Sequence, residues 1–366
     1  MSEKVKRIIL CSIPMSICNF RCPYCYLAQR ESSFEGKQIQ STHDSKFIKK
    51  AFSKKRLGGS CYFNLCADGE TMLVKNINMY VKSILEAGHY VEIVSNMTIT
   101  NVIHDLIESL SSSLLAKLSF KCSFHYLELK NKNLLETYAD NINFVRSKGA
   151  SITIEMVGAD IYIPYIQEIK EYSIKNFGAL PHITIARDDR NNRTFLTSLS
   201  HEEYLQTWNN FNSNFFKFKS SIFDKKRKEF CYAGMWSLKV NLVTGIASQC
   251  YMSNVYQDIY SDLDKPIKWV PICRCKDYHC YNGHSLLSVG LIPSLNTPKY
   301  GSELRNRLDS NTGQNWYNDT ALSFYDSKLI ESNKKIRFFA KTKFRIINYA
   351  YSLLNRCNKT KKNRKK

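Results

Sequence analysis

The chain has 366 residues, 43% of them hydrophobic, and a formal net charge of +21 at pH 7. That apolar fraction is ordinary for a globular protein, and no apolar stretch approaches the roughly 20 residues that span a bilayer. Thirteen cysteines would suggest disulfides in a small secreted protein, but given the length, the odd count and the close spacing of several of them, metal or cluster ligation in a reducing compartment fits better.

Lys4 and Lys6 precede an apolar run over 8–17 that imitates a secretion signal. Ile17, before Cys18, is not a small residue and Pro14 interrupts the run, so a cytoplasmic protein is expected. The first half then repeats one pattern, a short β-branched or aromatic run followed by a polar turn and a segment of helical apolar spacing. Strands are predicted at 7–13, 61–65, 90–94, 118–124, 151–157 and 182–186. Between them Ile77, Val81, Ile84 and Leu85 form one helical stripe ended by Gly88, and Leu134, Leu135, Tyr138, Ile142 and Val145 another ended by Gly149. Such βα repetition predicts a parallel sheet, either open and doubly wound or curled into a partial barrel.

After a charged, asparagine-rich connection over 187–193, Ser200 and Glu203 form a capping box that opens a helix carrying Leu205, Trp208 and Phe211. From Cys231 to about Pro298, five cysteines and the turn pairs Thr244-Gly245 and Asn282-Gly283 predict a small metal-organised module. Thirteen Lys and Arg and no acid lie between Lys334 and Lys366, so the tail holds more than half of the net charge. There Ile336, Phe339, Ala340, Ile347, Ala350 and Leu354 recur at helical spacing among Lys334, Lys335, Arg337, Lys341 and Arg345, with Lys343 interrupting the apolar face. This predicts a basic amphipathic helix, set either against an anionic membrane at its inner face or against the protein's own surface.

Cys18-Asn-Phe-Arg-Cys22-Pro-Tyr-Cys25 directly follows the first predicted strand, at the sheet edge where parallel α/β folds build active sites. Three thiolates on one loop bind three irons of a cubane and leave the fourth open. A zinc site lacks a fourth ligand nearby in sequence, a thioredoxin-like dithiol leaves Cys18 unexplained, and haem attachment fails because Tyr26 stands where a histidine is needed.

In these residues the chain resembles the radical S-adenosylmethionine superfamily, whose signature C-x3-C-x-aromatic-C takes Tyr24 as its aromatic. The resemblance spans roughly 5–190 and implies a partial (βα)6 TIM-type barrel, a 4Fe-4S cluster on Cys18, Cys22 and Cys25, and S-adenosylmethionine as cofactor. Asp68-Gly69-Glu70 matches the Gly-Gly-Glu turn that receives the cofactor's amino group, with Asp68 in place of the first glycine. It further implies that Ser95, Asn96, Ser123 and His125 meet ribose and carboxylate, and that the Met156-Val157 backbone meets adenine. An electron from a flavodoxin or ferredoxin would cleave the cofactor to a 5′-deoxyadenosyl radical that abstracts a hydrogen atom from substrate.

Cys231, Gly245, Cys250, Cys273, Cys275 and Cys280 resemble the auxiliary modules called SPASM and Twitch. This implies a second 4Fe-4S cluster on Cys231, Cys250 and Cys280, with Cys273 or Cys275 as fourth ligand; zinc on the same cysteines is the structural alternative. The expected division is a barrel at 1–190, a helical connection at 191–230, the auxiliary module at 231–300 and a helical region with the basic tail at 301–366. Cys11, Cys61 and Cys122 read as core, whereas Cys66, ending the second strand, is a candidate hydrogen donor.

The expected substrate is a small carbohydrate-type molecule, a glycan or a peptide, transformed by oxidation, epimerisation or cross-linking. A barrel starting close to Met1 leaves no room for a preceding peptide-recognition domain, which disfavours the peptide. An RNA-modifying enzyme is favoured by charge but lacks interleaved basic and aromatic residues in the barrel. A non-catalytic zinc-stabilised protein that binds nucleic acid or membrane leaves the first cysteine loop and the Asp68-Gly69-Glu70 turn unexplained.

Overall fold

The computed structural model describes residues 3–30, 33–38, 42–190, 194–253, 255–275, 280, 282–334 and 337–363, and in the last helix the side chains of 337–351 and 353. Residues 191–193 of the charged connection, and in the tail Lys335, Ile336, the Leu354 side chain and 364–366, lie outside this set.

All six predicted strands form: β1 Arg7–Ile13, β2 Cys61–Ala67, β3 Tyr90–Ser95, β4 Leu118–Ser123, β5 Ser151–Gly158 and β6 His182–Ile185. They pair in parallel, each with the next in sequence. A doubly wound sheet reverses its strand order part-way; this one does not, so its chain path is that of a barrel. The barrel stays open. Instead of closing on β6, β1 pairs in parallel with β7 Ser237–Asn241, and the antiparallel strands β8 Ile246–Ser248 and β9 Tyr256–Asp258 complete a nine-stranded sheet among the described residues.

Both faces of the sheet are covered. Outward residues such as Ile9, Cys11, Phe63 and Ile93 pack under helices that include α1 Ser45–Ala51, α2 Ile77–Glu86, α3 Thr100–Glu108, α4 Leu135–Ser147 and α5 Ile166–Phe177. The α2 stripe of Ile77, Val81, Ile84 and Leu85 is fully buried, and Gly88 follows it at φ 91°, a left-handed conformation that glycine takes without strain. Truncating Ile77, Ile84 or Leu85 to alanine would cost about 2–5 kcal/mol. The capping box forms as predicted: Ser200 Oγ accepts from Glu203 N at 3.3 Å and Ser200 N donates to the Glu203 carboxylate at 2.9 Å, opening α6 His201–Asn209. α7 Asn214–Ile222 follows and packs along β6.

Inward residues Ile8, Leu10, Tyr62 and Tyr90 meet a second apolar cluster supplied by the chain after Leu286, including Tyr300, Tyr317, Phe324 and Tyr325. This segment carries α8 Gly283–Ser288 and α9 Asp319–Tyr325 and plugs the lumen. The plug is satisfied at its polar point: buried Glu92 of β3 accepts from Tyr62 Oη at 2.6 Å, Asn64 Nδ2 at 2.8 Å, Tyr300 Oη at 3.3 Å and Tyr317 Oη at 3.4 Å. With that end filled, the open end of the lumen lies at the C-terminal edge of the strands.

The tail forms α10 Phe338–Asn363. Its docked face differs from the predicted stripe: Ala340, Phe344, Ile347 and Asn348 are half-buried, while Phe339, at 85% exposure, and Ala350 face outward. Hydrogen bonding decides the rotation, because Asn348 Oδ1 accepts from Gln249 Nε2 at 2.9 Å and its amide donates to Pro271 O. Among the described residues no helix is long and apolar enough to cross a membrane.

Candidate active site

The loop after β1 is held by the turn after β2. Asp68 N donates to Ile13 O at 3.1 Å, Gly69 N to Met15 O at 2.7 Å and Glu70 N to Ile17 O at 2.9 Å, extending the β1–β2 pairing beyond the strands. The approach is so close that a Cβ on Gly69 would lie 2.1 Å from Ile17 O, which is why glycine stands there. Glu70 is buried, and its carboxylate accepts from Met72 N at 2.9 Å, Ser95 Oγ at 2.8 Å and Asn96 N at 2.8 Å. Burial pushes its pKa upward against those three donors. Asn96 in turn donates to Asn19 Oδ1 at 2.7 Å, tying the end of β3 to the cysteine loop.

These elements border a cavity of about 350 Å³ at the C-terminal edge of the sheet, lined by Cys18, Cys22 and Cys25 together with Asp68, Gly69 and Glu70. Tyr24, Ser95, Asn96, Ser123, His125 and Val157 line it as well. Ser95 and Asn96 hold the turn and the loop through their side chains. Tyr24 Oη lies 2.7 Å from His125 Nδ1 and 2.6 Å from Tyr162 Oη, and burial pushes His125 down to about 4, so the imidazole is neutral at pH 7. Met156 sits beside Val157 on β5. Strand alternation turns its fully buried side chain into the core under the helices and leaves Glu155 and Val157 facing the cavity. Cys66 faces the cavity, and the protein around it raises its pKa to about 11 by burial, keeping the thiol protonated. Cys11, Cys61 and Cys122 are buried core residues, as expected.

The three loop cysteines suit a cationic cluster. Burial raises all three thiol pKa values, Cys18 to about 11; Cys25 raises that of Cys18 further, and Cys25 and Cys18 both raise that of Cys22. Thiolates so placed need a bound cation to offset them. Among the described residues no three His, Cys, Asp or Glu side chains close round a single-ion position, and a cubane that takes one thiolate per iron does not require one.

The second cysteine group lies behind the cavity and reaches it through its neighbour Asn282. A β-bridge pairs Cys231 with Cys273, but the side chains part there: Cys231 faces Cys280, Cys250 and Cys275, each raising its pKa further after burial, whereas Cys273 Sγ lies 3.3 Å from Pro271 O and 3.5 Å from Asn348 Nδ2. Residues 276–279 and 281 lie outside the described set. Asn282, two residues past Cys280, lines the cavity and donates to Tyr251 Oη at 2.8 Å. Asn282-Gly283 lies at a turn, with Gly283 N donating to Cys280 O at 2.9 Å, and leads into α8.

Sequence reasoning missed the charged floor. Lys121 and Glu155 sit two residues before Ser123 and Val157 on their strands, one pleat repeat deeper in the lumen, and α7 and α8 add Lys219 and His284. Glu155 pairs with Lys121 at 3.2 Å and with fully buried Arg305 at 2.7 Å. A lone charge inside an otherwise apolar parallel strand was the available signal.

No protein-family model and no curated protein matches the chain. Among solved structures it is similar to native anSMEcpe with bound AdoMet, at 12% identity over 94% of this chain and 99% of that one, with a TM-score of 0.52. The fold is that of this AdoMet-bound protein, a parallel α/β barrel left open. A histidine-tagged form of anSMEcpe with bound AdoMet gives 12% identity over 94% and 96% of the two chains and a TM-score of 0.50. Streptococcus suis SuiB bound to S-adenosylmethionine gives 12% over 72% and 67%, with a TM-score of 0.47. At such identity the likeness is one of fold.

Proposed function

We propose that this chain is a radical S-adenosylmethionine enzyme in which Cys18, Cys22 and Cys25 hold a 4Fe-4S cluster. One observation carries the reading: the three cysteines and the Asp68-Gly69-Glu70 turn, which are far apart in sequence, line one cavity at the open end of a parallel barrel. When bound, the cluster with S-adenosylmethionine supplies a 5′-deoxyadenosyl radical for hydrogen-atom abstraction, drawing an electron from a flavodoxin or ferredoxin. The chain's own residues position and exclude. Glu70 fixes the turn that meets the cofactor's amino group, Ser95 and Asn96 brace that turn and the cysteine loop, and Ser123 and His125 face the ribose side. Val157 offers backbone and surface to the adenine, and Cys66 is placed to return a hydrogen atom to a substrate radical.

A second 4Fe-4S cluster on Cys231, Cys250, Cys275 and Cys280 fits the facing of those thiols, and Cys273 is left as a structural residue. Its nearness to the cavity through Asn282 suits electron exchange with a substrate radical or substrate binding. The substrate is a carbohydrate-type metabolite or a peptide, and a reducing, cytoplasmic setting follows from the two cluster sites.

The test is anaerobic reconstitution with iron and sulfide, then dithionite and S-adenosylmethionine. Wild-type protein is expected to form 5′-deoxyadenosine and the Cys18→Ala/Cys22→Ala/Cys25→Ala protein none. Undiminished product from the triple variant would sink the reading.

A further inference from the structure

The floor of the cavity carries more positive charge than the fold consumes. Of its cations, Lys121 and Arg305 share Glu155, and Arg187 is held by Asp189 at 2.6 Å. Lys219 has no ion pair among the described residues; its ammonium donates to Thr184 Oγ1 and lies 5.5 Å from the Phe215 ring centre. Next to it is His284, 5% exposed, whose Nδ1 has no hydrogen-bond partner, and which meets Phe215 edge-on at 4.9 Å. Both residues line the cavity. A half-buried lysine without an ion pair and a buried, unpartnered imidazole nitrogen are costly in a folded protein, and such groups persist where a ligand completes them.

We propose that Lys219, His284 and Lys121 form an anion-binding floor that takes a carboxylate or phosphoryl group of the substrate, holding it one pleat repeat below the cofactor-facing residues Ser123 and Val157. The ligand's oxygens accept from the Lys219 and Lys121 ammonium groups and from His284, and the added negative charge balances the surplus around Glu155. The Lys219 amine is already pushed down to about 7, first by burial and then by Lys121, Arg187 and Arg305, with Glu155 opposing; an anion would relieve that repulsion. As an assignment of substrate class the proposal rests on the enzyme reading above, yet anion binding needs neither cofactor nor reductant and is measured without them.

The experiment acylates the full-length reconstituted protein with N-hydroxysuccinimidyl acetate near pH 7 and follows the Lys219 peptide by mass spectrometry. One arm adds inorganic phosphate, one adds succinate and one adds neutral glucose. Lys219 labelling is expected to fall about tenfold when phosphate or succinate stands at about ten times its Kd, while exposed Lys175 is unaffected and glucose does nothing. Protection by phosphate alone assigns a phosphoryl group, by succinate alone a carboxylate, and by both the shared chemistry, ranked by affinity. Calorimetry with the same two anions is expected to show binding weakened about tenfold or more by Lys219→Met, with circular dichroism confirming the fold, and it decides the matter if the amine escapes the reagent. Equal labelling in all arms, or no binding by wild type, or equal binding by wild type and variant, overturns the floor while leaving 5′-deoxyadenosine formation to be judged separately.

Discussion

Replacing Glu155 by glutamine tests the charge arrangement beneath the cavity. The carboxylate is 7% exposed, 2.7 Å from Arg305 Nη1 and 3.2 Å from Lys121 Nζ, and Arg305 Nε and Nη2 have no other partner. Burial alone would raise the pKa of Glu155, but attraction from Lys121, Arg305 and Lys219 outweighs it and holds the carboxyl well below its usual 4.5. Glutamine keeps the shape and one acceptor but removes the paired carboxylate from buried Arg305 and half-buried Lys121, a one-sided break that costs about 3–5 kcal/mol. With the unfolding entropy of a chain this long, Tm falls by about 4–6 °C. The sign with pH follows from the depressed pKa: the contribution is complete above the unfolded value and is lost as pH falls through the folded one, so the gap between wild type and variant narrows in acid. Calorimetric melts of the full chain from neutral to acid pH measure both effects, and Glu155→Gln combined with Arg305→Met should melt above the sum of the single losses. A variant within about 1 °C of wild type at neutral pH, or a gap that does not change with acid, refutes the reasoning.

Cys275→Ala should lower the iron content of reconstituted protein by about four atoms while Cys273→Ala leaves it intact, and equal losses in both would return Cys273 to the ligand set. If Cys66 donates a hydrogen atom, turnover in deuterium oxide places solvent deuterium in the product, and Cys66→Ala abolishes that incorporation; normal deuterated product from the variant removes the role. The outward face of α10, with Phe338, Phe339, Ile346 and Tyr349 exposed, should bind vesicles of anionic lipid at low salt and release them at high salt, since each basic residue near such a surface contributes about 1 kcal/mol. A chain ending at Ser332 that sediments with vesicles as fully as the intact chain would exclude the tail as their anchor.

Strands, turns and the first cysteine loop were legible because each is a local pattern. β-branched runs such as Arg7–Ile13 and Ser151–Gly158, the Ser200-Glu203 box and the Cys18–Cys25 spacing need no distant partner to be read. The floor was not legible, because Lys121 and Glu155 acquire their meaning only from Lys219, His284 and Arg305, which arrive from α7 and the plug between about 60 and 180 residues later. In a half-exposed strand such charges would point to solvent, and only the finding that both faces are covered turns them inward. The choice between Cys273 and Cys275 was closed to sequence for a similar reason, since alternate residues of one short segment point apart and Asn348 of the tail occupies the side toward Cys273.

The two ends of the chain therefore divide the chemistry. Residues proposed to face the cofactor come from the loop after β1 and the strand ends up to Val157, and they are braced among themselves through Glu70, Ser95, Asn96 and Asn19. The floor opposite them draws Lys219, His284 and Asn282 from beyond β6, and the plug that fixes Glu155 also supplies Arg305. Substitutions on the second set change what fits without disturbing the brace around the first, because the two share the cavity while the bracing hydrogen bonds of Glu70, Ser95 and Asn96 run to the turn and the cysteine loop rather than to the floor. On the proposed floor, substrate choice would rest on Lys219 and His284 from beyond β6 together with Lys121 of β4, and that floor is the part of the molecule where a change of substrate would first be written.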